Sequence, residues 1–270
     1  MTNDFSPANW YPGDAKPPAP KPKWMLDWQG LGLTCPPATL PHPNDYYGDP
    51  AGAARIKAHY AGEIKLTDLD DEERTWLHDE ITTEQRRVIE AATERFTAAL
   101  PRRYSHVQPD DRTAPWVRRV TVDPDNAPGL MIVGPTGTGK THLAWATLAA
   151  IVQTGAPISN RWRALTAVDM YATLRPGGSK DPDATLRSYS GAHLLFIDDL
   201  AAAKATEWTE EITYRIINHR YEQCLPTMIT SNVPPASMRD LLGERVASRL
   251  TEMCERVVLR GDDLRKGRAA

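Results

Sequence analysis

From about residue 116 onward, short apolar runs alternate with longer stretches of helical period. GLMIVG (129–134) has the continuous apolar character of a buried strand and leads into THLAWATLAAIVQTG (141–155), which is apolar at helical spacing. RWRALTA (161–167), HLLFID (193–198), PTMITS (226–231) and RVVLR (256–260) repeat the short form. Strands buried on both faces lose the polar alternation, so five of them separated by helices predict a parallel sheet covered on both sides, an α/β fold. Upstream the period changes. Val88, Ile89, Ala92, Phe96 and Leu100 recur at helical spacing after TTEQ (82–85), which has the spacing of a capping box, and Pro101 stops the run. Residues 67–100 therefore read as a small helical appendage with one apolar stripe. Residues 1–66 lack such a period. Eleven of the 23 prolines fall in residues 7–50, with KPPAPKPK at 16–23, and that density predicts a flexible Pro-rich arm. Within it WMLDWQGLGL (24–33) is conspicuously apolar: a patch folded back on the core, or a short motif that docks on a partner. No internal repeat is visible.

Composition narrows the class. The chain of 270 residues is 41% hydrophobic and 25% charged, enough for one solid core and a smaller appendage. Net charge is −3, with 13 Lys+Arg against 18 Asp+Glu in residues 1–115 and 19 against 17 in 116–270. No overall basic field advertises nucleic acid, and the first segment is the poorer candidate for gripping phosphates. Cys35, Cys224 and Cys254 are odd in number and far apart, which reads as reduced thiols rather than a disulfide or zinc framework. No apolar run approaches the roughly 18 residues that span a bilayer, and the first residues do not resemble a secretion signal. The expected compartment is the cytoplasm, with no membrane partner.

Chemistry concentrates in three places. GPTGTGKTH (134–142) fits GxxxxGK[ST] and sits between an apolar strand and an apolar helix, the context this pattern requires. Gly134, Gly137 and Gly139 let backbone N–H groups turn inward around phosphate oxygens, and the helix start adds its partial positive charge. Lys140 reaches the β- and γ-phosphates, and the Thr141 hydroxyl can ligate Mg²⁺. Pro135, Thr136, Thr138 and His142 complete the stretch assigned to the nucleotide. LLFIDDL (194–200) ends a strand in two carboxylates: Asp198 for the Mg²⁺ shell, Asp199 to orient or activate the attacking water. MITSN (228–232) places Asn232 at a strand tip, where it can hydrogen-bond the γ-phosphate or the water; the plainer reading is a turn before Pro234 and Pro235.

In register, these pieces resemble an AAA+ ATPase, and within that superfamily the DnaC/IstB-like branch of helicase loaders and transposition ATPases. The resemblance rests on LPRRY (100–104), GPTGTGKTHLA (134–144), LLFIDDL (194–200), EWTEEITYRIINHRY (207–221), MITSN (228–232), LGERVASRLTEMC (242–254) and LRGDDLR (259–265), and covers roughly 100–265. It implies a P-loop NTPase three-layer sandwich over 101–270, with a five-stranded parallel sheet and little or no C-terminal lid. It also implies a Mg²⁺-dependent ATPase in which Asn232 is sensor 1. Arg249 would be an arginine finger reaching a neighbouring subunit's ATP, and Arg265 would be sensor 2; Asp263 stands where many relatives carry Ser or Tyr. Arg245, four residues before Arg249, would support it or contact the shared interface.

The resemblance further implies a homo-oligomeric replication accessory protein that loads a DnaB-like replicative helicase onto single-stranded DNA. The N-terminal region would bind the helicase, and an arm carrying Trp24 and Trp28 fits a specialised, phage-type loader. A transposition ATPase working with a transposase, or an ATP-binding adaptor without turnover, are the alternatives. Residues 171–190 lie where loader and initiator relatives carry a helical insertion touching single strands, which makes Arg175, Lys180 and Arg187 the DNA candidates. Trp208 and Tyr214 read as packing residues rather than base-stacking groups.

Overall fold

The computed structural model describes residues 28–202, 205–233 and 235–260. They fall into two units, one of residues up to 33 with 41–79, the other of 34–40 with 80 onward. In the smaller unit helix α1 (Pro50–Tyr60) is capped by Asp49, whose Oδ1 accepts the Gly52 N–H at 2.6 Å. Ile56 of α1 joins Leu66, Leu69, Trp76 and Leu77 in a small core, with Leu31 packed against it. Within residues 1–66, read as a flexible arm, the segment 43–66 thus holds helical turns and part of a small core. Pro43 and Pro50 stand in the first positions of helical turns, where the missing N–H costs no hydrogen bond, so here proline starts helices instead of preventing them. Trp28 and Leu33 of the apolar patch are buried. Trp24 and the densest proline run lie outside the described residues.

Helix α2 (Asp71–Ala99) starts well before TTEQ. Its cap is the pair Asp70 and Glu73: the Asp70 carboxylate accepts the Glu73 N–H at 2.9 Å, and the Glu73 carboxylate accepts the Asp70 N–H at 3.0 Å. TTEQ has the same spacing but lies inside the helix. The earlier pair wins because three acidic residues in the first turn favour the positive end of the helix there.

The larger unit is built on a five-stranded sheet. After α3 (Ala114–Val122) come β1 (Gly129–Val133), α4 (Lys140–Val152), β2 (Trp162–Thr166), α5 (Ala167–Leu174), α6 (Pro182–Ser190) and β3 (Leu194–Asp198). Then follow α7 (Glu207–Glu222), β4 (Thr227–Ser231), α8 (Pro235–Leu242), α9 (Glu244–Met253) and β5 (Cys254–Val258). The strand order is β2-β3-β4-β1-β5, and every pairing is parallel. Alternate side chains enter opposite layers, as the strand period dictates. Leu130 and Ile132 of β1 pack with α2, α3 and α4; Met131 and Val133 pack with residues of α5 to α9. This is the expected three-layer sandwich.

One strand is displaced. β5 begins two residues before RVVLR, with Cys254 beside Gly129 and Val258 beside Val133. It is an edge strand whose Glu255, Arg256 and Val258 are exposed, so the apolar pattern under-reports its start. The ladder ends with the Leu259 N–H donating to the Val133 carbonyl at 2.7 Å, which brings the chain after β5 against the loop after β1. Among the described residues no helix is long and apolar enough to cross a membrane.

Candidate nucleotide-binding site

The loop between β1 and α4 is shaped by its glycines. A Cβ at Gly134 would stand 2.5 Å from the Leu259 carbonyl oxygen, so only glycine fits where the two backbones pass. Gly137 and Gly139 have φ of 87° and 90°, the left-handed region that glycine enters without strain. Gly139 is the N-cap of α4. Thr138 donates to the Pro135 carbonyl at 2.8 Å and closes the turn. Lys140, a buried cation, donates from Nζ to the carbonyls of Gly134 and Pro135, both at 2.8 Å, and so lies across the loop. Pro135, Thr136 and His142 are exposed, while Thr141 is half-buried.

The strand ends converge on this loop. Thr141 donates from Oγ1 to Asp198 at 2.9 Å (Oδ1) and 3.2 Å (Oδ2), joining the first turn of α4 to the tip of β3. Asp199 then turns the chain with φ of 52°, in the left-handed region. Burial, and secondarily the neighbouring Asp198 charge, raise its carboxyl above the usual carboxylate range, with Lys140 opposing. Its Oδ1 is buried without a hydrogen-bond partner. A half-buried carboxylate with one oxygen free of hydrogen bonds and raised basicity is suited to accept a proton.

Thr230 of β4, 1% exposed, touches both acids: it donates to Asp198 Oδ1 at 2.6 Å and accepts the Asp199 N–H at 2.8 Å. Sequence reasoning passed over it, because threonine in an apolar strand reads as strand propensity. The signal pointed instead to Asn232, which stands exposed one residue beyond β4, at the middle of a turn in which Ser231 Oγ accepts the Val233 N–H at 3.0 Å. Arg265 and Asp263 lie outside the described residues.

Arg249, the finger that the resemblance implied, is not freely exposed. It is half-buried on α9, with its guanidinium carbon 5.1 Å from the Tyr214 ring and 5.5 Å from the Tyr221 ring, both on α7. Its Nε is buried without a hydrogen bond. Planar guanidinium groups stack on aromatic faces, which explains why the side chain lies along α7. Arg245 is exposed, 5.8 Å from the same Tyr214. Helix α9 packs on the sheet face opposite α4. Arg175, Lys180 and Arg187 are all exposed, at the end of α5, between α5 and α6, and on α6. Arg175 also lies 5.7 Å from the Trp208 ring, and Trp208 meets Tyr171 edge-on at 5.9 Å, a packing role.

The glycine-only approach at Gly134, the helix start behind Lys140 and the free oxygen on Asp199 fit a nucleoside triphosphate. Thr141 and Asp198 supply two oxygen donors, which suits Mg²⁺ held partly by phosphates and water. A sheet of this order, with its glycine loop after β1 and its acidic pair at the end of β3, defines a P-loop ATPase fold of the AAA+ class.

Comparison with known proteins agrees. The chain belongs to the family of IstB-like ATP binding proteins, whose profile matches residues 71–269. It is similar to the replicative helicase loader DnaC of Escherichia coli (strain K12), 29% identical over 125 residues, which are 46% of this chain and 51% of that protein. A protein of Mycobacterium tuberculosis (strain ATCC 25618 / H37Rv), named as an ATP-binding protein in an insertion sequence, is 26% identical over 148 residues, 52% of this chain and 57% of the relative. The chain thus spans about half the length of these relatives. A crystal structure of the DnaC helicase loader superposes with a TM-score of 0.50 at 26% identity, over 59% of this chain and 100% of that one.

Proposed function

We propose that this protein is a Mg²⁺-dependent ATPase of DNA replication that oligomerises and loads a DnaB-like replicative helicase onto single-stranded DNA. The observation that carries the ATPase part is the acidic pair: Asp198 hydrogen-bonded to Thr141, and Asp199 beside it with a buried free oxygen. Lys140 and the loop N–H groups would bind the β- and γ-phosphates, and Arg265 would touch the nucleotide in the same subunit. Thr141 and Asp198 would hold Mg²⁺, which when bound neutralises charge developing on the phosphates. Asp199 would take the proton of the attacking water as its oxygen bonds to the γ-phosphorus and the bridging oxygen leaves with ADP. Asn232 would orient that water. Arg249 would complete a neighbouring copy's site. The N-terminal residues would contact the helicase, and Arg175, Lys180 and Arg187 the single strand, with the work done in the cytoplasm.

Similarity to the DnaC loader over the full length of its solved chain supports loading in particular. The second reading, a transposition ATPase acting with a transposase, is supported by the insertion-sequence relative. The deciding experiment mixes the full chain with the hexameric helicase of its host and forked DNA. Unwinding should require the protein and ATP, and Lys140→Ala should abolish the stimulation. Stimulation that survives Lys140→Ala, or capture of a transposase in place of the helicase, would sink the loader reading.

A further inference from the structure

A hydroxyl has one proton to donate and lone pairs to accept with. Thr230 uses both on the residues that end β3. Its proton goes to Asp198 Oδ1 at 2.6 Å, and its oxygen accepts the Asp199 N–H at 2.8 Å. The Thr230 carbonyl adds a third tie, accepting the Leu200 N–H at 3.0 Å. A buried threonine needs no such arrangement to be satisfied, since a carbonyl one turn or one strand away would serve. Here both hydroxyl bonds go to the acidic pair and the carbonyl bond to the residue after it.

We infer that Thr230 is a positioning residue for the ATP site, setting the rotamer of Asp198 toward Thr141 and holding the Asp199 backbone in its left-handed turn. The β-branch makes Thr230 stiff at χ1, so the hydroxyl is delivered at a fixed point. At 1% exposure, water is poorly placed to replace it. Valine has nearly the same shape but would leave the Asp199 N–H without an acceptor and Asp198 with one donor fewer. Asp198 could then rotate away from Thr141, and the two oxygens that would hold Mg²⁺ would no longer be aligned. Neighbouring partners that orient metal ligands are typically worth ~10–100-fold in metal affinity or activity.

The inference rests on the ATP-site reading, and its test separates the two. In the full chain, the affinity for a fluorescent ATP analogue is measured with Mg²⁺ and with EDTA for wild type, Thr230→Val and Thr230→Ser; steady-state hydrolysis is measured in parallel. Thr230→Val should lower the Mg²⁺-dependent gain in affinity by ~10-fold or more, leave the metal-free affinity unchanged, and lower kcat rather than raise KM. Thr230→Ser, which restores the hydroxyl, should recover most of both. The positioning role is overturned if Thr230→Val keeps the full Mg²⁺ gain, if metal-free binding falls equally, or if serine rescues nothing. Should Thr230→Val not fold, the Mg²⁺ gain of Thr230→Ser against Thr230→Ala decides, and equality of the two overturns it. A wild type that binds Mg²⁺ and ATP without turnover refutes hydrolysis alone, since the Mg²⁺ comparison still judges Thr230.

Discussion

Asp199 carries two unfavourable features at once: a left-handed backbone at φ 52° and a buried carboxyl oxygen with no partner. Aspartate tolerates that backbone better than most residues, but the half-buried charge has no such relief. Its carboxyl is raised, chiefly by burial and then by Asp198. The sign follows from linkage. Below the ordinary carboxylate range both folded and unfolded chains are protonated there, and the penalty vanishes. Above the raised folded value the native state holds an ionised group that the unfolded state solvates better, so stability falls as pH rises through that interval. Asp199→Asn keeps the left-handed preference and removes the charge. We expect it to raise Tm at neutral pH, by a margin that shrinks toward about pH 4, while ATP stays bound and hydrolysis is lost. Calorimetry at several pH values checks this; a lower Tm than wild type at neutral pH would show that the carboxylate is better solvated than its burial implies. The same residue shows what one chain of letters can reveal. IDD after an apolar run identified both acids, because a strand end followed by carboxylates is a local pattern. Thr230 was illegible because its importance lies in a hydrogen bond across strands.

At the scale of elements, Arg220 illustrates how far a helix can act beyond its own length. It is fully buried at the end of α7. Its Nε donates to Thr227 Oγ1 at 2.8 Å, Nη1 to the carbonyls of Ser190 (2.9 Å) and Ala192 (2.7 Å), and Nη2 to that of Pro226 (2.6 Å). One planar fork thereby joins the end of α6, the approach to β3 and the start of β4, the two strands whose tips carry Asp198 and Thr230. Arg220→Met would keep the stem and strand several buried acceptors, each costing ~1–3 kcal/mol. A loss of about 3 kcal/mol or more in urea unfolding is expected, with Arg220→Lys intermediate because an ammonium lacks the fork. A methionine variant within roughly 1 kcal/mol of wild type would mean that water reaches those carbonyls. In the sequence Arg220 sits in NHRYE, a polar run that reads as a solvated helix face. Strands β1, β3 and β4 were legible because burial on both sides leaves a continuous apolar signature, and the edge strand β2 through the short apolar run of Trp162, Ala164 and Leu165. The start of β5, the true cap of α2 and helix α1 were not, since each depends on an edge, a competing cap or a proline at a helix start.

At the scale of the whole molecule, the stacked Arg249 bears directly on whether one chain can finish the chemistry alone. It lies on α9, against α7, on the face of the sheet away from α4. Stacking on Tyr214 and Tyr221 is worth about 0.5–2 kcal/mol. An arginine supplied in trans lowers a phosphoryl-transfer barrier by a factor on the order of 10³–10⁵, equivalent to roughly 4–7 kcal/mol. The rings can therefore hold the side chain in the free subunit without preventing its transfer to a neighbour's γ-phosphate. A site built this way is heterologous: the surface that offers Arg249 differs from the surface that offers the phosphate loop, and copies add head to tail. Arg249→Ala should bind ATP as wild type does yet lose ~10³-fold or more of the assembled rate. Mixing distinguishes a finger from a packing residue. On the proposed reading Lys140→Ala would have a dead site and an intact finger, and Arg249→Ala an intact site and no finger. Each alone should be inactive, and the mixture should regain hydrolysis that rises with protein concentration, because only mixed neighbours pair a whole site with a whole finger. If the mixture stays as inactive as its parents, or Arg249→Ala alone turns over normally when assembled, Arg249 is confined to its stack between Tyr214 and Tyr221 and hydrolysis is completed within one chain.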